Sequence, residues 1–377
     1  MPLPLCFPRK PGPGRCGARC DWASRAALLR QSSARSGASA APRRASFANP
    51  HLRFVRRRGR AWSSTARAAL QNEETETLGG CSALHRTATL PNGLRLHFVE
   101  CGPAEAPLAL LIHGFPDLHL SWRLQLPALA AAGFRAVAVD LRGYGRSSAP
   151  PGVSAYSGEA VVGDLLALLD LLVGPGKAAA LVVGHDWGAR VAWGVAEAAP
   201  ERVERLCTIN VPHPDVFART LRESAEQRRR SWYIAAFQTP WLPEALLASR
   251  DCRMLRRLLA GGPDAHPALP PALIEQYVAA FKRPGGGGFR APLCYYRAAA
   301  RGLWPSPLRR IEAPVLVLWG EQDPYLVASM ADPPAHLAPR ARVVRFPNSS
   351  HWVHWQEPDA INAELLALLR EPTAANN

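Results

Sequence analysis

The segment that decides the fold spans residues 181–188 and reads Leu-Val-Val-Gly-His-Asp-Trp-Gly. Its first three residues are an apolar run typical of a buried strand, and a helical stretch begins at Gly188. Glycines at both ends of the Gly-x-Asp-x-Gly pattern permit the tight strand-to-helix turn that presents a nucleophile above a sheet. An aspartate at a turn is more often a helix cap, but this strand–turn–helix context favours Asp186 as a nucleophile.

Short apolar runs bounded by turn residues recur on both sides of this segment. The full set is Leu108–Ile112, Ala136–Val139, Leu181–Val183, Leu206–Ile209, Val315–Leu318 and Val343–Phe346. Because they do not alternate with polar residues, they predict strands buried on both faces. Predicted helices lie between them, at Glu159–Val173, Gly188–Ala199 and Asp359–Arg370. We therefore expect an α/β fold with a mostly parallel sheet flanked by helices, preceded by a β-hairpin at the Pro91-Asn92-Gly93 turn.

The alternation of strands and helices stops between about Pro214 and Pro305. This interval has helical patches, scattered Trp and Tyr, several prolines and the glycine run Gly285–Gly288, which lacks the Gly-Lys-Ser/Thr of a phosphate loop. We interpret it as a helical cap inserted between two sheet strands, over the active site. The predicted organisation is a basic leader over residues 1–75, a first core part over 80–213, the cap over 214–305 and a second core part over 306–372.

Charge sets the leader apart from the rest of the chain. Residues 1–70 hold 15 Lys and Arg and one acid, Asp21, so they carry +14 of the net +15 of the 377-residue chain. The remaining body has no basic excess for nucleic acid and no apolar run of about 18 residues that would span a membrane. The acid-poor leader is typical of a transit peptide, which predicts a mitochondrial or plastid location. A disordered basic tail or a mispredicted start, with a cytoplasmic location, is the alternative.

The eight cysteines form no CxxC pair and no regular spacing. They indicate neither a zinc site nor a disulfide framework, and a reducing compartment fits them best. The sequence shows no clustered set of ligands that would imply a metal or a cofactor, so neither is predicted.

Two further residues complete a catalytic order. Asp323, in Gly-Glu-Gln-Asp-Pro, follows the predicted strand Val315–Leu318, and His351, in Ser-His-Trp, follows Val343–Phe346. Nucleophile, acid and then histidine is the chain order of the α/β-hydrolase triad, in which the acid orients the histidine. His354 is a competing base three residues on, but its neighbours do not match the motif.

The stretch His113-Gly114-Phe115-Pro116 closes the first of the predicted parallel strands and resembles the HGxP turn of the same fold. We expect the backbone N–H groups of Phe115 and Trp187 to form an oxyanion hole. The alternative is a turn that only places Phe115 in the core.

Together, the His-Gly-Phe-Pro turn, the Gly-His-Asp-Trp-Gly elbow, the late aspartate and the Ser-His-Trp motif resemble the α/β-hydrolase-fold epoxide hydrolases, in particular the C-terminal domain of soluble epoxide hydrolase. The resemblance covers roughly residues 85–370. It implies that Tyr233, in Tyr-Ile-Ala-Ala-Phe-Gln-Thr-Pro, and Tyr296, in Leu-Cys-Tyr-Tyr-Arg, are the cap tyrosines that activate the epoxide. Tyr295 then fills a position that is usually aromatic, and Ser350 stands where glycine is commoner.

The residue types explain why this reaction is expected. A carboxylate that attacks an sp³ carbon forms an ester that water can cleave, whereas a serine would leave an ether. The predicted function is therefore hydrolysis of an epoxide to a vicinal diol through an ester on Asp186, which is cleaved by water that His351 activates. A haloalkane dehalogenase shares the fold and the Asp nucleophile but commonly carries Asn where Phe115 stands. A non-catalytic ligand-binding member is the third hypothesis, and the only predicted partners are the small-molecule substrate and water.

Overall fold

The computed structural model describes residues 69–261 and 269–373. Most of the predicted leader, residues 1–75, therefore lies outside the described residues, and the transit peptide stays a prediction. Among the described residues, no helix has the length and apolar character needed to cross a bilayer.

The folded body begins earlier than the predicted boundary at residue 75. Strand β1 (Leu70–Leu78) pairs antiparallel with strand β2 (Cys81–Thr89), although its sequence is polar and shows no apolar alternation. Bonds to distant residues stabilise this strand, because Glu73 and Glu74 pair with Arg146. Such contacts depend on tertiary structure, so a local sequence pattern could not indicate them.

The described residues form one nine-stranded sheet. Its strands are β1 (Leu70–Leu78), β2 (Cys81–Thr89), β3 (Arg95–Cys101), β4 (Leu108–Ile112), β5 (Arg135–Val139), β6 (Leu181–His185), β7 (Leu206–Ile209), β8 (Val315–Gly320) and β9 (Ala341–Phe346). The order across the sheet is β1-β2-β3-β5-β4-β6-β7-β8-β9. Strands β1 to β3 are antiparallel to their neighbours, and the other six are parallel to one another. This confirms the mostly parallel sheet and the hairpin, while β9 is half-buried because it forms the sheet edge.

Parallel pairing brings the carboxyl ends of the central strands together. Ile112 at the end of β4 pairs with Gly184 of β6, and Ile209 at the end of β7 pairs with Leu318 of β8. The loops that follow these strands therefore meet at one edge of the sheet, which is where α/β folds bind their ligands.

The described helices lie on both faces of the sheet and in the segment between β7 and β8. They are α1 (Leu126–Ala131), α2 (Gly158–Val173), α3 (Trp187–Ala198), α4 (Pro214–Glu223), α5 (Ala225–Arg230), α6 (Trp232–Ala236), α7 (Leu242–Leu259, with non-helical residues 249–252), α8 (Pro271–Lys282), α9 (Arg290–Ala300), α10 (Val353–Gln356) and α11 (Pro358–Arg370). Leu165 of α2 and Val191 of α3 belong to the core on one face, and Leu126 of α1 and Leu365 of α11 belong to the core on the other. This is the layered arrangement that the alternating sequence pattern predicts.

Helices α4 to α9 form the cap, which lies between β7 and β8 in the chain. The helical insertion between sheet strands is therefore confirmed. Two tyrosines fix the cap to loops at the carboxyl edge of the sheet. The Tyr277 hydroxyl donates to Asp117 (3.1 Å), and the Tyr295 hydroxyl donates to the carbonyl of Arg142 (3.0 Å).

Candidate active site

The turn between β6 and α3 holds Asp186 above the carboxyl end of the sheet. Asp186 has φ 50° and ψ −124°, a strained backbone conformation of the kind found at functional sites. A Cβ on Gly188 would lie 2.0 Å from the carbonyl oxygen of Ile112, and a Cβ on Gly184 would lie 2.3 Å from the carbonyl oxygen of Gly188. The turn can close only because both positions are glycine.

The structure brings His351 between the carboxylates of Asp186 and Asp323. His351 Nδ1 lies 2.7 Å from Asp323 Oδ2, and His351 Nε2 lies 3.7 Å from Asp186 Oδ2. The Nδ1–H therefore donates to Asp323, which leaves Nε2 directed at Asp186. Burial alone would lower the pKa of His351, but the charge of Asp323 and the contacts with both carboxylates raise it to about 10. An imidazolium between two carboxylates is thus the resting form at neutral pH.

Asn210 is a residue of this site that the sequence analysis missed. Its side-chain amide donates to Asp323 Oδ2 (2.8 Å), while Asp323 Oδ1 accepts the N–H groups of Tyr325 (2.7 Å) and Leu326 (3.0 Å). Burial alone would raise the pKa of Asp323, but the charge of His351 and these donors lower it, so the carboxylate stays ionised. The sequence feature that could have identified Asn210 is its position directly after the predicted strand Leu206–Ile209.

The turn after β4 contacts the nucleophile through its backbone. The N–H of Phe115 donates to Asp186 Oδ1 at 2.7 Å, and a Cβ on Gly114 would lie only 2.3 Å from the same oxygen. Trp187 is the first residue of α3, so its N–H is one of the donors left without an intrahelical partner at a helix N-terminus. The Phe115 ring also packs against the hydrophobic core, so the two interpretations of this turn are compatible.

Tyr233 of α6 and Tyr296 of α9 lie together in the cap. Their ring centroids are 5.9 Å apart, and the Tyr296 ring is 5.0 Å from Trp187 and 5.8 Å from Phe115. Burial raises the pKa of both tyrosines well above the ordinary value, and the negative charge of Asp186 raises it further. Both hydroxyls are therefore protonated at neutral pH and available as proton donors.

Two residues that compete for these assignments make other contacts. The Tyr295 hydroxyl is bonded to the carbonyl of Arg142, so it holds the cap on the core. The Nε2 of His354 lies 2.9 Å from the Ser121 hydroxyl oxygen, and the His354 side chain is fully buried. These contacts favour Tyr296 over Tyr295 as the cap tyrosine of the site, and His351 over His354 as its histidine.

Known proteins share this sequence pattern and fold. Residues 107–358 match the family described as alpha/beta hydrolase fold. Epoxide hydrolase 4 of Homo sapiens is 34% identical over 287 residues, which are 75% of this chain and 77% of that protein. The crystal structure of Bacillus megaterium epoxide hydrolase in complex with an inhibitor matches with a TM-score of 0.68 and 28% identity, over 76% of this chain and 100% of that chain. Epoxide hydrolase A of Mycobacterium thermoresistibile matches with a TM-score of 0.65 and 34% identity, over 76% and 98%.

Proposed function

The chain belongs to the epoxide hydrolase family of the alpha/beta hydrolase fold, and from this premise we propose that it converts an epoxide to a vicinal diol through an ester formed on Asp186. The observation that best supports this proposal is the contact set of Asp186. Its carboxylate accepts the Phe115 N–H and faces His351 at 3.7 Å. Its charge adds to the burial that raises the pKa of both cap tyrosines. A carboxylate in this setting can attack an epoxide carbon while a tyrosine protonates the epoxide oxygen.

In the first half-reaction Asp186 acts as the nucleophile. An ionised carboxylate has no proton to lose, so its attack on the epoxide needs no general base. The epoxide C–O bond breaks as the ester bond forms, and the leaving oxygen takes a proton from Tyr233 or Tyr296. The raised pKa of both hydroxyls keeps these donors protonated at neutral pH.

In the second half-reaction His351 deprotonates the water that attacks the ester. The resting enzyme cannot do this, because a pKa of about 10 keeps the imidazole protonated. Ester formation removes the negative charge of Asp186, which contributes to that raised pKa, so the pKa of His351 falls when a base is needed. The proton that His351 then releases can return the ionised tyrosine to its hydroxyl form.

The core supplies the groups that stabilise charge during ester hydrolysis. Asp323 orients His351 and stabilises the imidazolium that forms when water is deprotonated. The oxygen of the tetrahedral intermediate on Asp186 becomes negative, and the N–H groups of Phe115 and Trp187 are the donors for it. When this intermediate collapses, its bond to the diol oxygen breaks and that oxygen takes a proton from His351. The new carboxyl group of Asp186 then returns its proton to His351, which restores the resting carboxylate and imidazolium.

Haloalkane dehalogenation is a second candidate because the same fold and nucleophile can serve it. A halide leaves without a proton and needs N–H donors, for which such enzymes commonly carry Asn at the position of Phe115. Here that position is phenylalanine and two protonated tyrosines lie close by, which favours an epoxide. A non-catalytic ligand-binding role is the third candidate, and it would show as binding without turnover.

Aromatic side chains surround the tyrosine pair. Phe115 and Phe237 lie 5.8 and 5.1 Å from the Tyr296 ring, and Tyr325 lies 5.7 Å from the Tyr233 ring. Rings of this kind bind apolar groups through large contact areas. We therefore expect an epoxide with an apolar substituent to be the better substrate.

A His351→Gln variant tests the proposal, because it should form the ester and fail to hydrolyse it. After mixing with a reactive epoxide, we expect a covalent adduct on Asp186 that is heavier than the free protein by one whole epoxide molecule. Addition to an epoxide expels no group, whereas a haloalkane would leave only its alkyl part. Intact-protein mass spectrometry followed by peptide mapping therefore separates the two functions.

Two control variants sharpen this experiment. Asp186→Ala should give neither adduct nor turnover, and Ala is preferred to Asn because deamidation of Asn would regenerate the aspartate. His354→Gln changes the neighbouring histidine and should accumulate no adduct. An adduct on another residue, or normal turnover of His351→Gln, would exclude the proposed mechanism.

A further inference from the structure

A second cluster of titratable side chains lies at the antiparallel end of the sheet, outside the site described above. Glu76 of β1, His85 of β2 and His119, from the short helical turn after β4, each offer one ligand atom, and these atoms lie within 4.8 Å of one another. Both imidazoles are buried, with 4% and 8% of their residue surface exposed. We propose that these three side chains bind a zinc-type divalent cation.

A chain of hydrogen bonds fixes the orientation of both imidazoles. His97 Nδ1 lies 2.8 Å from Asp140 Oδ2, and His119 Nδ1 lies 3.0 Å from Asp140 Oδ1. His97 Nε2 in turn lies 3.0 Å from His85 Nδ1. Asp140 therefore accepts one hydrogen bond from His97 and one from His119.

These contacts leave one nitrogen of the His85 ring directed at Glu76. Where a neutral His97 donates its Nδ1–H to Asp140, its Nε2 accepts the Nδ1–H of His85. The other ring nitrogen of His85, Nε2, lies 2.9 Å from Glu76 Oε1. A cation bound at this point would take both atoms as ligands in place of the hydrogen bond between them.

A small movement of the side chains would fit a metal cation into this cluster. Zinc lies about 2.0–2.2 Å from its nitrogen and oxygen ligands, so tetrahedrally arranged ligand atoms lie about 3.3–3.6 Å apart. Glu76 Oε1 and His85 Nε2, which are 2.9 Å apart, would therefore separate slightly on binding. Each ligating imidazole would also donate its other N–H, His85 to His97 and His119 to Asp140. Buried acceptors of this kind orient the histidine ligands of metal sites.

The surroundings provide access and charge balance. The three ligands line a cavity of about 540 Å³, together with Glu74 and Arg146, so a cation can enter and a water molecule has room as a fourth ligand. Arg146 would repel a cation, but it is paired with Glu73 and Glu74, which offset its charge. Two imidazoles and one carboxylate favour zinc over magnesium or calcium.

The sequence contains no short-range signal for this site, because its ligands come from three separate elements. A bound cation would join the edge strands β1 and β2 to the turn after β4. We therefore expect it to stabilise the folded protein, since a ligand that binds only the folded state raises the free energy of unfolding.

The test uses the full-length protein without an affinity tag, stripped of metal by a chelator. Titration with Zn²⁺ against a chromogenic chelator should show one site per chain, and bound Zn²⁺ should raise the thermal midpoint. His119→Gln and Glu76→Gln should lose the site, and His97→Gln should bind about 10–100-fold more weakly. His336→Gln, which changes an exposed imidazole, is the matched control and should bind as the unmodified protein does.

Equal Zn²⁺ affinity in the unmodified protein and in the ligand variants would overturn the proposal. Absence of binding to the unmodified protein would also overturn it and would mean that a proton alone bridges Glu76 and His85. The thermal midpoint of the unmodified protein gives a reading that does not depend on variants that fail to fold. Zn²⁺ should raise this midpoint, and an equal midpoint with and without Zn²⁺ would contradict the site.

Discussion

The α/β core and the cap contribute to the active site in different ways. In the core, Asp323 and His351 are joined at 2.7 Å, and Asn210 holds Asp323 at 2.8 Å, so hydrogen bonds define the positions of these groups. In the cap, Tyr233 and Tyr296 pack through their rings. The two ring centroids are 5.9 Å apart, and the Tyr296 centroid lies 5.0 Å from that of Trp187. Directional bonds thus fix the core groups, whereas packing positions the cap groups.

In the proposed reaction, this difference assigns the acid of ester formation to the cap and the base of ester hydrolysis to the core. Protonation of the leaving oxygen during ester formation needs an acid, which the cap supplies. Ester hydrolysis needs a base and its orienting carboxylate, which the core supplies. Variants in the two regions should therefore stop the reaction on opposite sides of the covalent intermediate, and the amount of intermediate can be measured by mass.

Asp323→Asn should have the largest effect on the core step. Without this carboxylate, His351 loses its orienting partner and the stabilisation of its imidazolium, a change that lowers turnover by about 10⁴ in a serine-protease triad. We expect a similar loss in ester hydrolysis, while ester formation continues and the adduct accumulates. Rapid-quench mass spectrometry measures formation and decay separately. An equal loss in both rates would contradict the division between core and cap.

The cap tyrosines should show the opposite behaviour. Tyr233→Phe or Tyr296→Phe removes one proton donor and should slow ester formation by about 10- to 10⁴-fold, and the double variant should be nearly inactive. Hydrolysis of any ester that forms should keep its normal rate, because the core is unchanged. The same rapid-quench measurement checks both steps.

Tyr295→Phe is the matched control for the cap, since Tyr295 precedes Tyr296 on the same helix. Its hydroxyl is bonded to the carbonyl of Arg142. We expect unchanged ester formation and a free energy of unfolding lower by about 1 kcal/mol, measured by urea denaturation. Ester formation as slow as in Tyr296→Phe, or full activity of the double tyrosine variant, would exclude the assignment of the cap residues.

The contrast between core and cap also explains what the sequence could predict. The parallel strands are continuous apolar runs, and Asp186, Asp323 and His351 each follow one of them in a fixed order. Local pattern and chain order were therefore sufficient to predict that these three residues lie together. The cap tyrosines have no comparable signal, because a tyrosine on a short helix is usually an ordinary packed residue. Only the resemblance to a family singled out Tyr233 and Tyr296.

The features that the sequence analysis missed depend on long-range contacts. Strand β1 is polar, so it lacks the alternation of apolar and polar residues by which strands are predicted. Hydrogen bonds to residues far along the chain stabilise it instead. Asn210 acts through Asp323, more than 100 residues away. The cluster of Glu76, His85 and His119 likewise forms only when three elements come together. Local spacing contains no information about such contacts.

The paired charges of the core also predict a pH dependence of stability. The folded state raises the pKa of His351 from 6.5 to about 10, so it binds this proton more tightly than the unfolded chain does. The resulting stabilisation is fully present below pH 6.5 and is lost as the pH rises through about 10. Urea denaturation across this range should show a larger loss in the unmodified protein than in His351→Gln. Equal losses would contradict the raised pKa.

Asn210→Gly should slow ester hydrolysis less than Asp323→Asn does, because Asp323 keeps its two backbone donors. Asn210 has φ 47°, and glycine adopts this conformation without strain. The substitution removes the amide, which also bonds the N–H and the carbonyl of Gly320, so we expect a lower free energy of unfolding as well. Loss of one hydrogen bond to a carboxylate should slow ester hydrolysis about tenfold, equivalent to about 1.4 kcal/mol, and leave ester formation unchanged. The pKa of Asp323 should also rise, which moves the acid limb of the ester-decay profile to higher pH. A loss confined to ester formation would mean that Asn210 supports the nucleophile instead.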